Sequence, residues 1–156
     1  MFNKSTLWFH KVNDTNWGID SYVKIVDIVN DDDFLYTYKR INNFTSGMFF
    51  LMKDGIKPVY EDEHNAKGGI FTFKISKKVS KSFWLELSNM FIKDELVKDK
   101  KHSKLLNGIS ISPKINNCIL KIWTSKYDGV SINILRNNID NLYLDEGMFR
   151  KNSDNK

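Results

Sequence analysis

Hydrophobic and polar positions alternate or cluster along the chain in a way that predicts a sheet with a few helices. Leu7–Val12 and Tyr22–Ile28 are short β-branched and aromatic runs, separated by the turn-rich Asn13-Asp14-Thr15-Asn16. They read as two antiparallel strands. The acidic run Asp31-Asp32-Asp33 precedes a segment ending in Lys39-Arg40-Ile41, a charge order that complements a helix dipole. Phe34, Tyr38 and Ile41 then share one face of that helix. Met48–Lys53 is a third strand closed by Asp54-Gly55. A polar loop, Lys57–Gly69, leads to the strand Ile70–Ser76. Trp84, Leu87 and Phe91 recur at helical spacing within Lys81–Lys93, which lacks Gly and Pro, and predict a second helix. Glu95–Ser103 is a charged connector. Gly108–Ser112 and Cys118–Ser125 form a hairpin, and Val130–Ile139 holds a further strand or a short helix. The expected architecture is α+β: one curved, mainly antiparallel sheet with two to three helices packed on its convex face, leaving the other face for a ligand. Residues 1–145 make the single domain, and the polar stretch 146–156 is expected to be a disordered tail.

Composition narrows the classes. A chain of 156 residues, 41% hydrophobic and 13% aromatic with two prolines, buries a real core and is not disordered. Lys+Arg exceed Asp+Glu by 24 to 19, which favours a polyanionic partner only mildly, since positive charge also serves solubility. The lone Cys118 sits in an apolar run and reads as a buried strand thiol rather than a nucleophile. No run approaches the ~20 apolar residues of a membrane span, and the N-terminus lacks the core of a secretory signal. A cytoplasmic location is expected, with no membrane partner.

Few residues offer chemistry. His10, His64 and His102 are scattered, with no metal-ligand spacing, so neither a metal nor another cofactor is expected. Gly68-Gly69 lacks the companions of a phosphate loop, and no nucleophile elbow occurs. Trp17 follows a polar turn. Taken alone, such a ring more often folds back on the core than stacks on a ligand. Tyr60-Glu61-Asp62-Glu63 puts an aromatic beside three carboxylates, either a solvated loop anchored by Tyr60 or a binding feature. A paired-carboxylate hydrolase fits poorly, because sequence neighbours seldom face each other across a substrate. Strand alternation places Trp123 with Lys121 and Ile119, opposite the core-facing Leu120 and Ile122, which predicts an accessible ring. Lys114, in the hairpin, is within reach of a phosphate or is one more surface lysine.

These features occur in a familiar order. Leu7-Trp8-Phe9, Trp17, Asp33-Phe34 with Tyr38, the block KDGIKPVYEDEHNAKGG at 53–69, Phe83-Trp84-Leu85-Glu86 and Ile122-Trp123-Thr124 together resemble eukaryotic translation initiation factor 4E. That family binds the 7-methylguanosine cap of messenger RNA. The resemblance covers about three quarters of the sequence, from Leu7 to about Ser125, and agrees with the sheet read from the pattern. It implies that Trp17 and Tyr60 sandwich the cap base, that Glu61 pairs with the guanine edge, and that Trp123 lies near the 7-methyl group. Lys114 falls where the family keeps a basic residue for the phosphates, and Lys121 or Lys126 is the candidate for a second. The implied protein is not an enzyme, needs no cofactor, and is a monomer whose partners are capped mRNA and a scaffold factor 4G-like protein or a different one.

The chain departs from the family in places. Tyr60 stands where a tryptophan is usual, and Ile119 where a second phosphate-binding lysine is common. On the helix face that receives partners, made of Asp31, Leu35, Trp84, Leu85, Glu86 and Asn89, Leu35 replaces a tryptophan. Asp31 and Asn89 replace apolar residues. Cap binding retained with the usual partner lost, weakened or redirected is the expectation, as suits a divergent or viral homologue. A cap-binding repressor and a fold-only interaction module are the alternatives.

Overall fold

A computed structural model describes residues 2–41 and 46–155. Seven strands form one antiparallel curved sheet. They are β1 (Ser5–Lys11), β2 (Val23–Ile28), β3 (Gly47–Lys53), β4 (Gly69–Ser76), β5 (Leu106–Pro113), β6 (Asn117–Thr124) and β7 (Met148–Lys151). Their order across the sheet is β2-β1-β3-β5-β6-β4-β7. Two α-helices, α1 (Asp31–Lys39) and α2 (Ser80–Ile92), cover one face.

Local chemistry explains the helix ends. Asn30 caps α1, its side chain accepting from the Asp33 N–H at 2.8 Å, while Asp33 Oδ2 accepts from the Val29 N–H at 3.0 Å. One orphan donor of the first turn is thereby satisfied, together with the N–H of the residue before the cap. The predicted stripe is real: Phe34 and Tyr38 are buried and Ile41 packs against the same core. Phe83, Trp84, Leu87 and Phe91 of α2 face it from the neighbouring helix. The Tyr38 hydroxyl donates to Ser88 Oγ at 3.0 Å, tying α1 to α2, and burial pushes its pKa up.

The sheet has two apolar faces. Leu7, Leu51, Ile109, Leu120, Ile122, Phe71 and Phe73 point to the helices. Trp8, Phe50, Met52, Ile70 and Trp123 form a second cluster on the opposite, concave face, joined by Tyr22, Met48, Ile56 and Tyr60. Strand alternation therefore sorts the side chains as read from the sequence, and Cys118 is buried as expected. The open choice for Val130–Ile139 resolves as a short 3-10 turn, Ile132–Ile134, followed by a single bridge from Leu135 to Val97.

The tail is a correction. Residues 146–156 were expected to be disordered, yet β7 pairs with β4 from Gly69↔Lys151 to Thr72↔Met148, and a 3-10 turn runs through Asn152–Asn155. Four residues are too few for a periodic signal. What holds them is tertiary: Phe149 stacks on Phe71 at 4.2 Å and on Tyr127 at 4.7 Å. Lys156 lies outside the described residues.

Candidate functional site: an aromatic cleft on the concave face

A cleft of about 570 Å³ opens over the second apolar cluster. Its lining brings together Trp17, Tyr60, Glu61, Lys114, Lys121 and Trp123, residues from four separate stretches of chain. Every residue expected to touch the base or the phosphates is among them.

Trp17 reaches the cleft from the β1–β2 connection. That loop is shaped by its own polar side chains: the Asn16 N–H donates to Asp14 Oδ1 and the Gly18 N–H to Asn16 Oδ1, each at 2.9 Å. Such Asx turns replace sheet pairing with local bonds. One face of Trp17 lies flat on His10, centroids 4.3 Å apart and planes 7° apart, while the indole is still 52% exposed. His10 is itself fully buried, with Nε2 2.7 Å from Asn16 O and Nδ1 2.9 Å from Lys11 O. The imidazole is thus a fixed platform that leaves the second indole face open.

Tyr60 and Glu61 come from the loop 57–68, whose order is built from within. Asp62 accepts from the backbone N–H groups of Lys57 (2.9 Å) and His64 (2.8 Å). Desolvation opposes its charge, but these bonds and the His64 side chain outweigh it and hold the carboxyl below the usual carboxylate range. Asp62 is a structural acid of the loop, so the three carboxylates have different tasks. Glu61 is exposed and lines the cleft, whereas Glu63 lines only a neighbouring depression.

A buried amide chain anchors the same loop to the sheet. Asn65 Nδ2 donates to the carbonyls of Lys57 (3.1 Å) and Val59 (3.0 Å), and Asn107 Nδ2 donates to Asn65 Oδ1 and His64 O, both at 2.8 Å. Asn152 Nδ2 donates to Asn65 O at 2.8 Å, and the Asn152 N–H to Gly68 O at 3.0 Å. The C-terminal segment therefore buttresses the binding loop. The Asn65 carbonyl also accepts from the Gly68 N–H at 2.9 Å, so Asn152→Ala removes one of its two donors, at a cost of about 0.5–1.5 kcal/mol. The expected result is a lower melting temperature, and Asp154→Ala, an exposed neighbour, leaves it unchanged; equal melting of both variants would refute the role.

Gly68 closes the loop against β6. A Cβ there would meet the Thr124 carbonyl oxygen at 1.7 Å. The glycine pair serves a close backbone approach, which explains why it lacks phosphate-loop companions. Gly68→Ala should destabilise the protein by about 1–3 kcal/mol through overpacking, read by chemical denaturation. A denaturation midpoint equal to that of the wild type would contradict this.

One expectation changes in the folded protein. The Trp123 ring is on the concave face as alternation required, but it is only 2% exposed rather than accessible. Tyr60 stacks on it at 4.9 Å and 22°, and its Nε1 donates to Ser110 Oγ at 3.1 Å. Trp17 and Tyr60 are thus each stacked on a protein ring, with one face apiece left for a ligand. Lys121 Nζ donates to the Tyr60 hydroxyl at 3.1 Å and so steadies that ring as well. Lys114 is exposed at the cleft rim.

Sequence reading missed Tyr22 and His10. Tyr22 lines the cleft and packs on His10 and Phe50. Burial first, then the electrostatic influence of neighbouring Tyr60 and Glu61, push its pKa up to about 12. It stays a neutral hydroxyl beside Glu61. A tyrosine at a strand start carries no signal of its own, and His10 only shows its place once it is seen beneath Trp17.

The expected partner face divides. Leu35, Leu85, Glu86 and Asp31 are exposed on α1 and α2, and Asn89 is half-buried. Asp31 pairs with Lys93 at 3.8 Å across the two helices. Trp84, expected on this face, is 1% exposed, because the α2 core stripe claims it. It floors a cleft of about 390 Å³ with Tyr38, Ile41 and Leu85 rather than standing at the surface. Among the described residues no group of three or more His, Cys, Asp or Glu side chains is placed to hold a metal, and no helix is long and apolar enough to cross a membrane.

Fold and cleft define a sheet-based module with an aromatic slot that carries an exposed carboxylate. The chain belongs to the eukaryotic initiation factor 4E family, whose model matches residues 1–153. It is 31% identical over 135 residues to eukaryotic translation initiation factor 4E-1A of Danio rerio, covering 81% of this chain and 61% of that protein. To the initiation factor NCBP of Oryza sativa subsp. japonica it is 30% identical over 125 residues, covering 77% and 53%. The chain thus spans less than two thirds of these relatives. In fold it is similar to C. elegans eIF4E-3 in complex with the 4E-binding protein Mextli, with a TM-score of 0.80 at 19% identity over 98% of this chain and 93% of that one. Ascaris suum eIF4E-3 with m7G cap gives 0.71 at 23% identity, over 83% and 77%.

Proposed function

We propose that the chain binds the 7-methylguanosine cap of messenger RNA and acts in translation initiation, as a cytoplasmic monomer that does not turn over its ligand. The observation that carries this reading is the convergence of two half-open aromatic rings and one exposed carboxylate, Trp17, Tyr60 and Glu61, on a single cleft. Methylation at N7 gives guanine a delocalised positive charge. Rings above and below then contribute base stacking of roughly 1–3 kcal/mol, and cation–π attraction of about 2 kcal/mol or more where water is excluded. Glu61 accepts from N1–H and the exocyclic amine, a donor pair adenine lacks. Trp123 backs Tyr60 on the side of the 7-methyl group, and Lys114 and Lys121 meet the phosphates. Tyr60, smaller than the usual tryptophan, offers less stacking area.

Tryptophan fluorescence titration with 7-methyl-GTP beside GTP tests the reading. Strong quenching by the methylated nucleotide with a weak response to GTP is expected. No response to either would overturn it.

A second reading, a cap-binding repressor without the usual scaffold, rests on the helix face. The Asp31–Lys93 ion pair and the polar Asn89 flank Leu35 and Leu85, where a helical ligand with apolar anchors needs an apolar groove. A pull-down with a 4G-type motif peptide discriminates, since tight binding would remove the case for a lost partner.

A further inference from the structure

Charge is distributed unevenly around the cleft. On the loop side, Glu61, Asp62 and Glu63 border the neighbouring depression with a single lysine, Lys57. From the cleft the concave face continues from β6 across β4 to the edge strand β7. Register fixes which side chains share it: Lys121 lies opposite Thr72, Thr72 opposite Met148, and Ile70 opposite Arg150. Lys74, two residues from Thr72, joins them. Lys74 and Arg150 are exposed, and Met148 between them is 52% exposed. None of the ion pairs among the described residues involves Lys74, Lys121 or Arg150. Asp145 and Glu146, just before β7, form none with them either.

Strand spacing of about 4.8 Å and a rise of about 3.4 Å per residue place the Lys74 backbone roughly 8 Å from Lys121, and Arg150 roughly 12 Å from it. Three cations without carboxylate partners thus flank an apolar side chain on a flat surface continuous with the cleft. Cations track the backbone of single-stranded nucleic acid, and a methionine thioether makes favourable contacts with an aromatic ring such as a base.

We propose that the concave face of β4 and β7 is a second binding site, in which Lys74 and Arg150 take the phosphates of the nucleotides that follow the cap and Met148 receives a base. This rests on the cap-binding reading for its direction: RNA leaves the cleft past Lys121 over the sheet edge. The β7 strand thereby has two tasks, buttressing the binding loop from its end at Asn152 and contacting RNA from its concave side.

The test compares 7-methyl-GTP, a capped pentanucleotide and the same pentanucleotide without cap, on the wild type and on the double variant Lys74→Ala/Arg150→Ala. The wild type should bind the capped RNA several-fold more tightly than 7-methyl-GTP. The double variant should lose that increment and keep its 7-methyl-GTP affinity. Each phosphate contact on a single strand contributes about 0.7 to the slope of log affinity against log salt, so the capped-RNA slope should fall by roughly 1.4. An increment and slope unchanged in the variant would overturn the proposal. If 7-methyl-GTP fails to bind, the cap reading falls by itself, and the uncapped RNA then decides: a shallower slope in the variant supports the strip, and equal slopes overturn it.

Discussion

Glu61→Ala lowers the affinity for 7-methyl-GTP about a hundredfold or more, without altering the melting temperature. The carboxylate is exposed at the cleft and forms none of the bonds that hold its loop, a task left to Asp62, Asn65 and Asn107. Its removal therefore costs recognition and not fold. Two charge-assisted hydrogen bonds at roughly 1.5 kcal/mol each, the low end suited to a site open to water, amount to about 3 kcal/mol. At about 1.4 kcal/mol per tenfold, that is a hundredfold change. Glu63→Ala is the control, because Glu63 lies outside the main cleft. Fluorescence titration of the three proteins checks it. Similar losses in both variants would mean that general acidity, rather than one placed carboxylate, governs the site.

Trp17→Ala is expected to weaken 7-methyl-GTP binding about fiftyfold and GTP binding only about tenfold. Stacking, roughly 1–3 kcal/mol, is lost for both nucleotides. The cation–π contribution, about 1 kcal/mol in so open a setting, is lost for the methylated one alone. Discrimination between the two should therefore shrink along with affinity. Because the indole is half out in solvent, the fold should tolerate the change. His10→Ala is a useful companion: it removes the platform, with Trp17 still present, and should give a smaller loss of the same kind. Calorimetric titration reads both nucleotides. Full methyl selectivity in Trp17→Ala would show that another ring carries it.

Both expectations depend on pieces that the chain supplies far apart. Trp17 is displayed by Asx turns around a buried histidine. Glu61 stands on a loop held by amides from β5 and from the segment after β7. This division of labour separates the residues that hold the loop from those that meet the ligand. It also predicts that variants of Asn152 and of Glu61 will differ in kind, the first lowering stability and the second affinity.

The sequence by itself determined six of the seven described strands, both α-helices and the candidate list. Strand and helix periods are local properties, so Leu120 and Ile122 could be assigned to the core and Phe34 and Tyr38 to a helix stripe without coordinates. The cleft residues were legible because Trp17, Tyr60-Glu61 and Trp123 sit in a recognisable order. Only the tertiary structure decided their surroundings. Alternation gives the face of Trp123 but not what covers it, and Tyr60, distant along the chain, lies on top. A histidine in a strand looks like any polar residue until Trp17 is laid against it. The segment 148–151 has too few residues for a period, and its order comes from pairing with β4 and from Phe149 against Phe71 and Tyr127. Contacts between distant segments carry no local signature, because burial, unlike periodicity, depends on what the rest of the chain brings to the same place.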